Sequence, residues 1–350
     1  MHAAESSTRR NALESWVARV LAAKGDSVVG PWRAVAGDAS FRHFHRIETG
    51  RGTLIAMDAP PATENNAQFV RLSKLFRSVG VCVPDVVASD LDNGFLLVSD
   101  LGELMYSSVY KTDQRDTAID AALDTLIRIA RVGSAGGIVP PYTASRLRDE
   151  LGLFRTWLLE GLLGHTLTSA EGGMVDAVWR RLIESADGQA KVCVHRDFHS
   201  RNLLWGPDRV TRVVDFQDAL HGPVLYDIAS LLRDCYVRFD EAVIARWREC
   251  FRAKATAAGL PLEADPDRFA QLLDLTAAQR QLKALGIFAR LELRDARPSH
   301  LIDIAPVLDH VIDVCAMYQE LSAFGGWLDA TVRPAAHRAL ASRGVALCVE

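Results

Sequence analysis

The side chains best suited to chemistry sit in one short stretch, KVCVHRDFHSRNLLWGPDRVTRVVDFQDA, which begins at Lys191. Within it Asp197 and Asn202 follow the spacing H-R-D-x-x-x-x-N, and Asp215 comes thirteen residues after Asn202. Residue types in this order suit transfer of a phosphoryl group to an alcohol. The reaction needs a carboxylate that orients the attacking hydroxyl and accepts its proton, and Asp197 is the candidate. It also needs hard oxygen ligands for the Mg2+ that bridges the phosphates, and Asn202 and Asp215 are those candidates. Asp215 ends the apolar run VTRVVD, so a buried strand would present its carboxylate rigidly beside the loop. His195 is read as a structural brace of its own loop with Asp227 as partner, and His199 as a substrate neighbour or a turn cap. The chain contains no GxxxxGK[ST], HExxH or GxSxG string, so those mechanisms have no local signature.

Elements that would position these groups follow from the periodicity. Leu13, Trp16, Val17, Val20 and Leu21 share one helical face, and PWRAVA, FRHFHRIE and TLIAM, separated by turn residues, predict a three-stranded antiparallel meander. Thr63 is placed to cap a helix through Phe69, Leu72, Leu75 and Phe76. VCVPDVVASD and GFLLVSD then predict two more strands joined at Asn93 and Gly94. From Thr117 onward helical patterns dominate apart from the chemistry-bearing stretch. The expected architecture is α+β and two-lobed. Residues 1–100 form an N-lobe with a helix, a nucleotide-binding antiparallel sheet and a further helix; residues 101–350 form a larger helical C-lobe with the catalytic loop and substrate site.

Composition narrows the partners. The chain has 350 residues, 49% apolar, 24% charged, with a formal net charge of −4, and its Lys and Arg residues form no basic block, which argues against nucleic acid. Six dispersed cysteines make neither a CxxC pair nor a Cys/His cluster, so no zinc site or disulfide framework is expected and a reducing cytoplasm suits them. No apolar run reaches bilayer length, and MHAAESSTRR lacks the apolar core of a signal peptide. A cytoplasmic protein without membrane insertion, working as a monomer, is expected.

Longer strings carry a resemblance. AGDASFR at Ala36–Arg42, AMDAPP at Ala56–Pro61, VSDLGE at Val98–Glu103, HRDFHSRNLLW at His195–Trp205, DFQDALHGPVLYDIASLLRD at Asp215–Asp234 and QRQLKALGIFARL at Gln279–Leu291 resemble the aminoglycoside phosphotransferase superfamily of small-molecule kinases. Within it they look like the bacterial branch that phosphorylates the anomeric hydroxyl of N-acetylmuramate and N-acetylglucosamine during peptidoglycan recycling. The resemblance implies a protein-kinase-like fold, ATP and Mg2+ as cofactors, and a small amino sugar as partner. It implies that Gly37, Asp38, Ala39, Ser40, Phe41 and Arg42 cover the ATP phosphates and that Ser99, Asp100 and Leu101 hold adenine through their backbone. Asp197 is then the base, and Asn202 and Asp215 the metal ligands.

One position departs from that pattern: Met57 stands about where the superfamily carries a phosphate-binding Lys. Arg42 or Arg46 could replace it electrostatically, or the pair could simply face solvent. A non-catalytic pseudokinase therefore stays open beside the kinase reading, as does a kinase of another alcohol such as an aminoglycoside, choline or homoserine. For the substrate, Gln279–Arg297 carries five basic and two acidic residues. Gln279, Lys283, Gly286 and Arg290 share a helical face that could meet an anion such as a lactyl carboxylate, or be a solvated surface. Asn65, Asn66, Gln217 and Asp218 are sugar-site candidates with His199, Lys283 and Arg290. Trp157, Trp205 and Tyr226 could stack on a sugar ring or lie in the core.

Overall fold

A computed structural model of the chain describes residues 2–35 and 42–346. It opens with helix α1 (His2–Ala23), then strands β1 (Arg33–Val35), β2 (His43–Thr49) and β3 (Gly52–Asp58), helix α2 (Asn66–Ser78), and strands β4 (Val86–Asp90) and β5 (Phe95–Ser99). The five strands make one antiparallel sheet in the order β1-β2-β3-β5-β4, which contains the expected meander and the added pair. Alternation sorts its two faces. Ile47, Ala56, Phe95 and Leu97 pack against Leu13, Trp16, Val17 and Leu21 of α1. Met57, Leu96 and Val98 point the other way, into the core shared with Phe69, Leu72 and Phe76 of α2. The β4–β5 turn requires a glycine: Gly94 has φ 74°, and a Cβ there would lie 2.1 Å from the Ala59 carbonyl oxygen. One detail differs from expectation. The α2 cap is Asn65, whose side chain accepts the Gln68 amide at 3.1 Å, while Thr63 lies in the preceding turn with its hydroxyl on the Pro60 carbonyl.

Beyond Ser99 the chain is mainly helical: α3 (Tyr106–Val109), α4 (Arg115–Ala130), α5 (Ala144–Leu153) continuing as a π-helical segment to Leu162, and α6 (Ser169–Asp187). Strands β6 (Lys191–Val194), β7 (Leu203–Trp205), β8 (Thr211–Val213) and β9 (Leu220–Pro223) then pair as β6–β9 and β7–β8. Helices α7 (Tyr226–Leu232), α8 (Glu241–Ala257), α9 (Pro266–Asp295) and α10 (Ile304–Met317) follow, with two short helices near the end. The 30-residue α9 starts on an Asp265 cap with Pro266 in its first turn. Its middle is buried on every side, polar residues included, because other helices surround it. Gly286 lets it touch the Leu153–Phe154 backbone, where a Cβ would clash at 2.3 Å.

Candidate active site

Two small sheets frame the catalytic loop. β6 delivers the chain into residues 195–202, β7 takes it out, and β8 leads to Asp215. His195 is fully buried, with Nε2 3.0 Å from the Val214 carbonyl and Nδ1 3.3 Å from the Asp197 amide nitrogen. A neutral ring protonated on Nε2 satisfies both contacts, donating to Val214 and accepting from Asp197. Asp227, in the first turn of α7, accepts the backbone N–H groups of His195 and Arg196 at 2.6 and 2.9 Å. Burial pushes its carboxyl up, against the pull of His195 and those amides. Arg196 and Asp215 have φ of 79° and 61°, a backbone region costly for residues with a Cβ, so the surrounding bonds hold the loop in a conformation it would otherwise leave.

Asp197 faces the cleft with the Lys283 ammonium 3.7 Å from its Oδ1. Burial alone would raise its carboxyl, but Lys283 and then Arg196 outweigh burial and hold it well below the usual carboxylate range. Burial likewise works to lower Lys283, yet Asp197 and Tyr226 keep it above its ordinary value, so both groups are charged near neutrality. Asn202 donates its amide N–H to the Asp197 carbonyl at 3.0 Å, which leaves its side-chain oxygen able to act as a metal ligand. On Asp215, Gln217 Nε2 at 2.8 Å and Arg42 Nη1 at 3.5 Å both address Oδ1; Oδ2 has no protein donor among the described residues. One carboxylate and one amide oxygen fit Mg2+, which takes few protein ligands and fills its shell from phosphates and water. Phe216 fixes the segment by packing on Phe69 and Phe76 of α2 at 4.8 and 5.9 Å between ring centres.

These groups open on a cleft of about 1400 Å3, room for a nucleotide and a small acceptor together. At one end Met57 is buried in its wall. Arg42 and Arg46 also line it, so they are not a solvent-facing pair: Arg42 is bridged to Glu64 at 2.7 Å and Arg46 to Asp100 at 2.6 Å. Of the connector, Ser99 N–H bonds to the Asp85 carbonyl and the Leu101 carbonyl accepts from Arg212. The Leu101 N–H and Asp100 carbonyl have no such partner among the described residues. Gly37, Asp38, Ala39, Ser40 and Phe41 lie outside the described residues.

At the other end the structure redistributes the substrate candidates. Gln217, Asp218, His199, Lys283 and Asn65 line the cleft. Burial lowers the His199 imidazole, and its Nδ1 has no hydrogen-bond partner. Asn66 does not line the cleft: its amide donates to the Ala59 carbonyl at 2.7 Å, a buried tie between β3 and α2. Arg290 is also absent from the lining, because the four-residue face chosen from sequence splits. Gln279 is buried in the core, Gly286 meets the Leu153–Phe154 backbone, and only Lys283 reaches the cleft. The face that does reach it is Arg280, Lys283, Ala284, Ile287 and Leu291, offset by a single residue. Trp205 and Tyr226 are core residues, and Trp157 packs at the core edge. The sequence reading missed Arg280, and it missed an aromatic wall of Tyr236, Phe288 and His300 with the Arg201 guanidinium 3.6 Å over Tyr236. No spacing pattern links those four positions, which only the packing of α9 assembles.

Comparison with known proteins bears on the family and the fold. Residues 31–272 match the model of the phosphotransferase enzyme family APH. The N-acetylmuramate/N-acetylglucosamine kinase of Pseudomonas aeruginosa is 39% identical over 319 residues, covering 89% of this chain and 93% of that protein. The protein of the same name from Neisseria meningitidis serogroup B is 35% identical over 292 residues, 82% of this chain and 86% of its own. Among solved structures, choline kinase from Streptococcus pneumoniae superposes with a TM-score of 0.63 at 12% identity, over 88% of this chain and 99% of that one, a likeness of fold.

Proposed function

This chain belongs to the APH phosphotransferase enzyme family, and from that premise we propose that it is an ATP- and Mg2+-dependent kinase that phosphorylates the anomeric hydroxyl of N-acetylmuramate and N-acetylglucosamine. The observation that carries the reading is that Asp197, Asn202 and Asp215 open together on one cleft whose acceptor wall is cationic. The relatives bear the name of this activity at 35–39% identity. Choline or an aminoglycoside would bring its own positive charge against Arg280, Lys283 and Arg201, whereas a neutral or acidic sugar would not.

In this reading Asp197 orients the sugar hydroxyl. Held ionised by Lys283 and Arg196, it is a weak base and takes the proton late in the transfer. Mg2+, held by Asn202 and Asp215, neutralises charge on the phosphates when bound. Arg42, anchored by Glu64 and 3.5 Å from Asp215, stands in for the cation missing at Met57. Leu101 N–H with the Asp100 carbonyl hold adenine. The protein works as a cytoplasmic monomer. No helix among the described residues is long and apolar enough to cross a membrane.

Phosphorus NMR of the protein with ATP, Mg2+ and either sugar tests the reading, with an aminoglycoside alongside. The expected product signal is sugar-dependent and coupled to the anomeric proton. ADP formed only with another acceptor would overturn the substrate, and no turnover at all would restore the pseudokinase and point to Met57.

A further inference from the structure

Among the described residues, the other buried and half-buried cations in and beside the cleft come with carboxylates. Arg233 is bridged by Asp274 at 3.0 Å and by Glu241; Arg196 is bridged by Glu150 at 2.6 Å. Arg42 and Arg46 have Glu64 and Asp100. Arg280 departs from this rule. Its residue is 4% exposed, no carboxylate of the described residues forms an ion pair with it, Asp197 and Asp227 act on it only from further off, and its buried Nε and Nη1 lack any hydrogen-bond partner. Its guanidinium sits 5.3 Å from the Tyr226 ring centre and lines the cleft. Leaving a buried guanidinium half-satisfied costs stability that a protein recovers only when something else supplies the acceptor.

The neighbourhood says which ligand supplies it. Lys283, one helical turn further along α9, is engaged by Asp197 and by the Tyr226 hydroxyl at 3.4 Å. Arg280 therefore stands roughly 5 Å along the helix axis from the cation that marks the reacting hydroxyl, a span comparable to a pyranose ring. A guanidinium presents two parallel N–H groups that match a carboxylate. We propose that Arg280 is the specificity-determining residue for an acidic sugar substituent: it grips the carboxylate in a forked pair while Lys283 stays with Asp197. The inference rests on the sugar-kinase reading above and assigns its carboxylate subsite, which serves N-acetylmuramate and is left unfilled by N-acetylglucosamine.

The test compares N-acetylmuramate with its methyl ester, which keeps the shape and removes the charge. In equilibrium titrations of the full protein with ADP and Mg2+ present, the acid should bind more tightly than the ester by at least roughly thirtyfold, the scale of losing one partner of a desolvated charge pair. In R280Q that ratio should collapse towards one. R280K, which keeps a charge but not the fork, should fall between them and serves if R280Q does not fold. Equal binding of acid and ester by the unaltered protein overturns the inference, as does an unchanged ratio in both variants. An equal loss for acid, ester and N-acetylglucosamine, with a raised KM for ATP, also overturns it, because Arg280 would then serve the nucleotide phosphates. These titrations need no turnover. Failure of the unaltered protein to phosphorylate either sugar would sink the function proposed above, while the acid-to-ester ratio judges the subsite on its own.

Discussion

The two ends of the cleft handle positive charge in opposite ways. At the nucleotide end Arg42 and Arg46 each hold an acid, at 2.7 and 2.6 Å, before any ligand arrives. At the acceptor end Lys283 pairs with Asp197 at 3.7 Å, while Arg280 has no acid within ion-pairing distance among the described residues and feels Asp197 and Asp227 only from further off. The difference follows from what each end receives. In the function proposed above, nucleotide phosphates arrive with a divalent metal that offsets much of their charge, so cations fixed in advance need only steer. In the proposed subsite a sugar carboxylate arrives with nothing, and a cation that no acid bridges is the stronger attractor in a dry site.

The sharpest way to break the comparison is at the group where the two ends meet. Asp197→Asn should lower kcat by roughly 10²- to 10⁴-fold while nucleotide titration shows binding retained. An active D197N protein would remove the mechanism. Asp215→Ala acts one step towards the nucleotide: Mg2+-dependent nucleotide binding should weaken by at least roughly tenfold, since even the removal of a metal ligand's hydrogen-bonding support costs 10- to 100-fold in metal affinity. Metal-free nucleotide should bind the variant about as before. Equal weakening with and without Mg2+ would mean that Asp215 shapes the cleft without holding the metal.

That asymmetry was only half legible in the sequence. That Asp197, Asn202 and Asp215 meet at one cleft is legible because one loop and one strand end carry them, so their spacing is local. The sheet was readable too, since turn residues and alternation mark each strand. The acceptor wall was not. Lys283 was found, but the face drawn through it with Gln279, Gly286 and Arg290 is one residue away from the face that meets the cleft. In a helix buried all round, polarity no longer marks the outside, and Gly286 signalled approach to the Leu153–Phe154 backbone, not to substrate. Arg42 with Glu64 was hidden for another reason: their pairing joins two segments far apart in sequence, and the neighbouring Asn66, read as a sugar ligand, instead ties α2 to β3.

Smaller changes sharpen the contrast. Lys283→Met removes the largest favourable charge holding Asp197 ionised, so the Asp197 carboxyl must rise towards its ordinary value. The sign is set by the direction of that shift. A carboxylate with a depressed pKa stays competent far into acid, and raising it makes kcat fall at a higher pH as acid is added. The acidic limb of the pH profile should therefore move up in K283M, and a limb that stays put would show that the remaining cations, Arg196 foremost, suffice to hold Asp197 charged.

The smallest expected effect separates two meanings of one residue. Asn65 lines the cleft, as a sugar ligand would, and its side chain also accepts the Gln68 amide at 3.1 Å as the α2 cap. If the cap is its role, Asn65→Ala should cost about 1 kcal/mol of stability, a fall of about 2 °C in melting temperature. Its kinetic trace should then appear at the nucleotide end, because Glu64 immediately precedes the cap and anchors Arg42. A modest rise in KM for ATP, with the acid-to-ester ratio of the acceptor unchanged, is the signature of that chain of contacts. A melting temperature that holds while kcat/KM for the sugar drops would instead put Asn65 among the acceptor ligands, and the line between the two ends would have to be redrawn through α2.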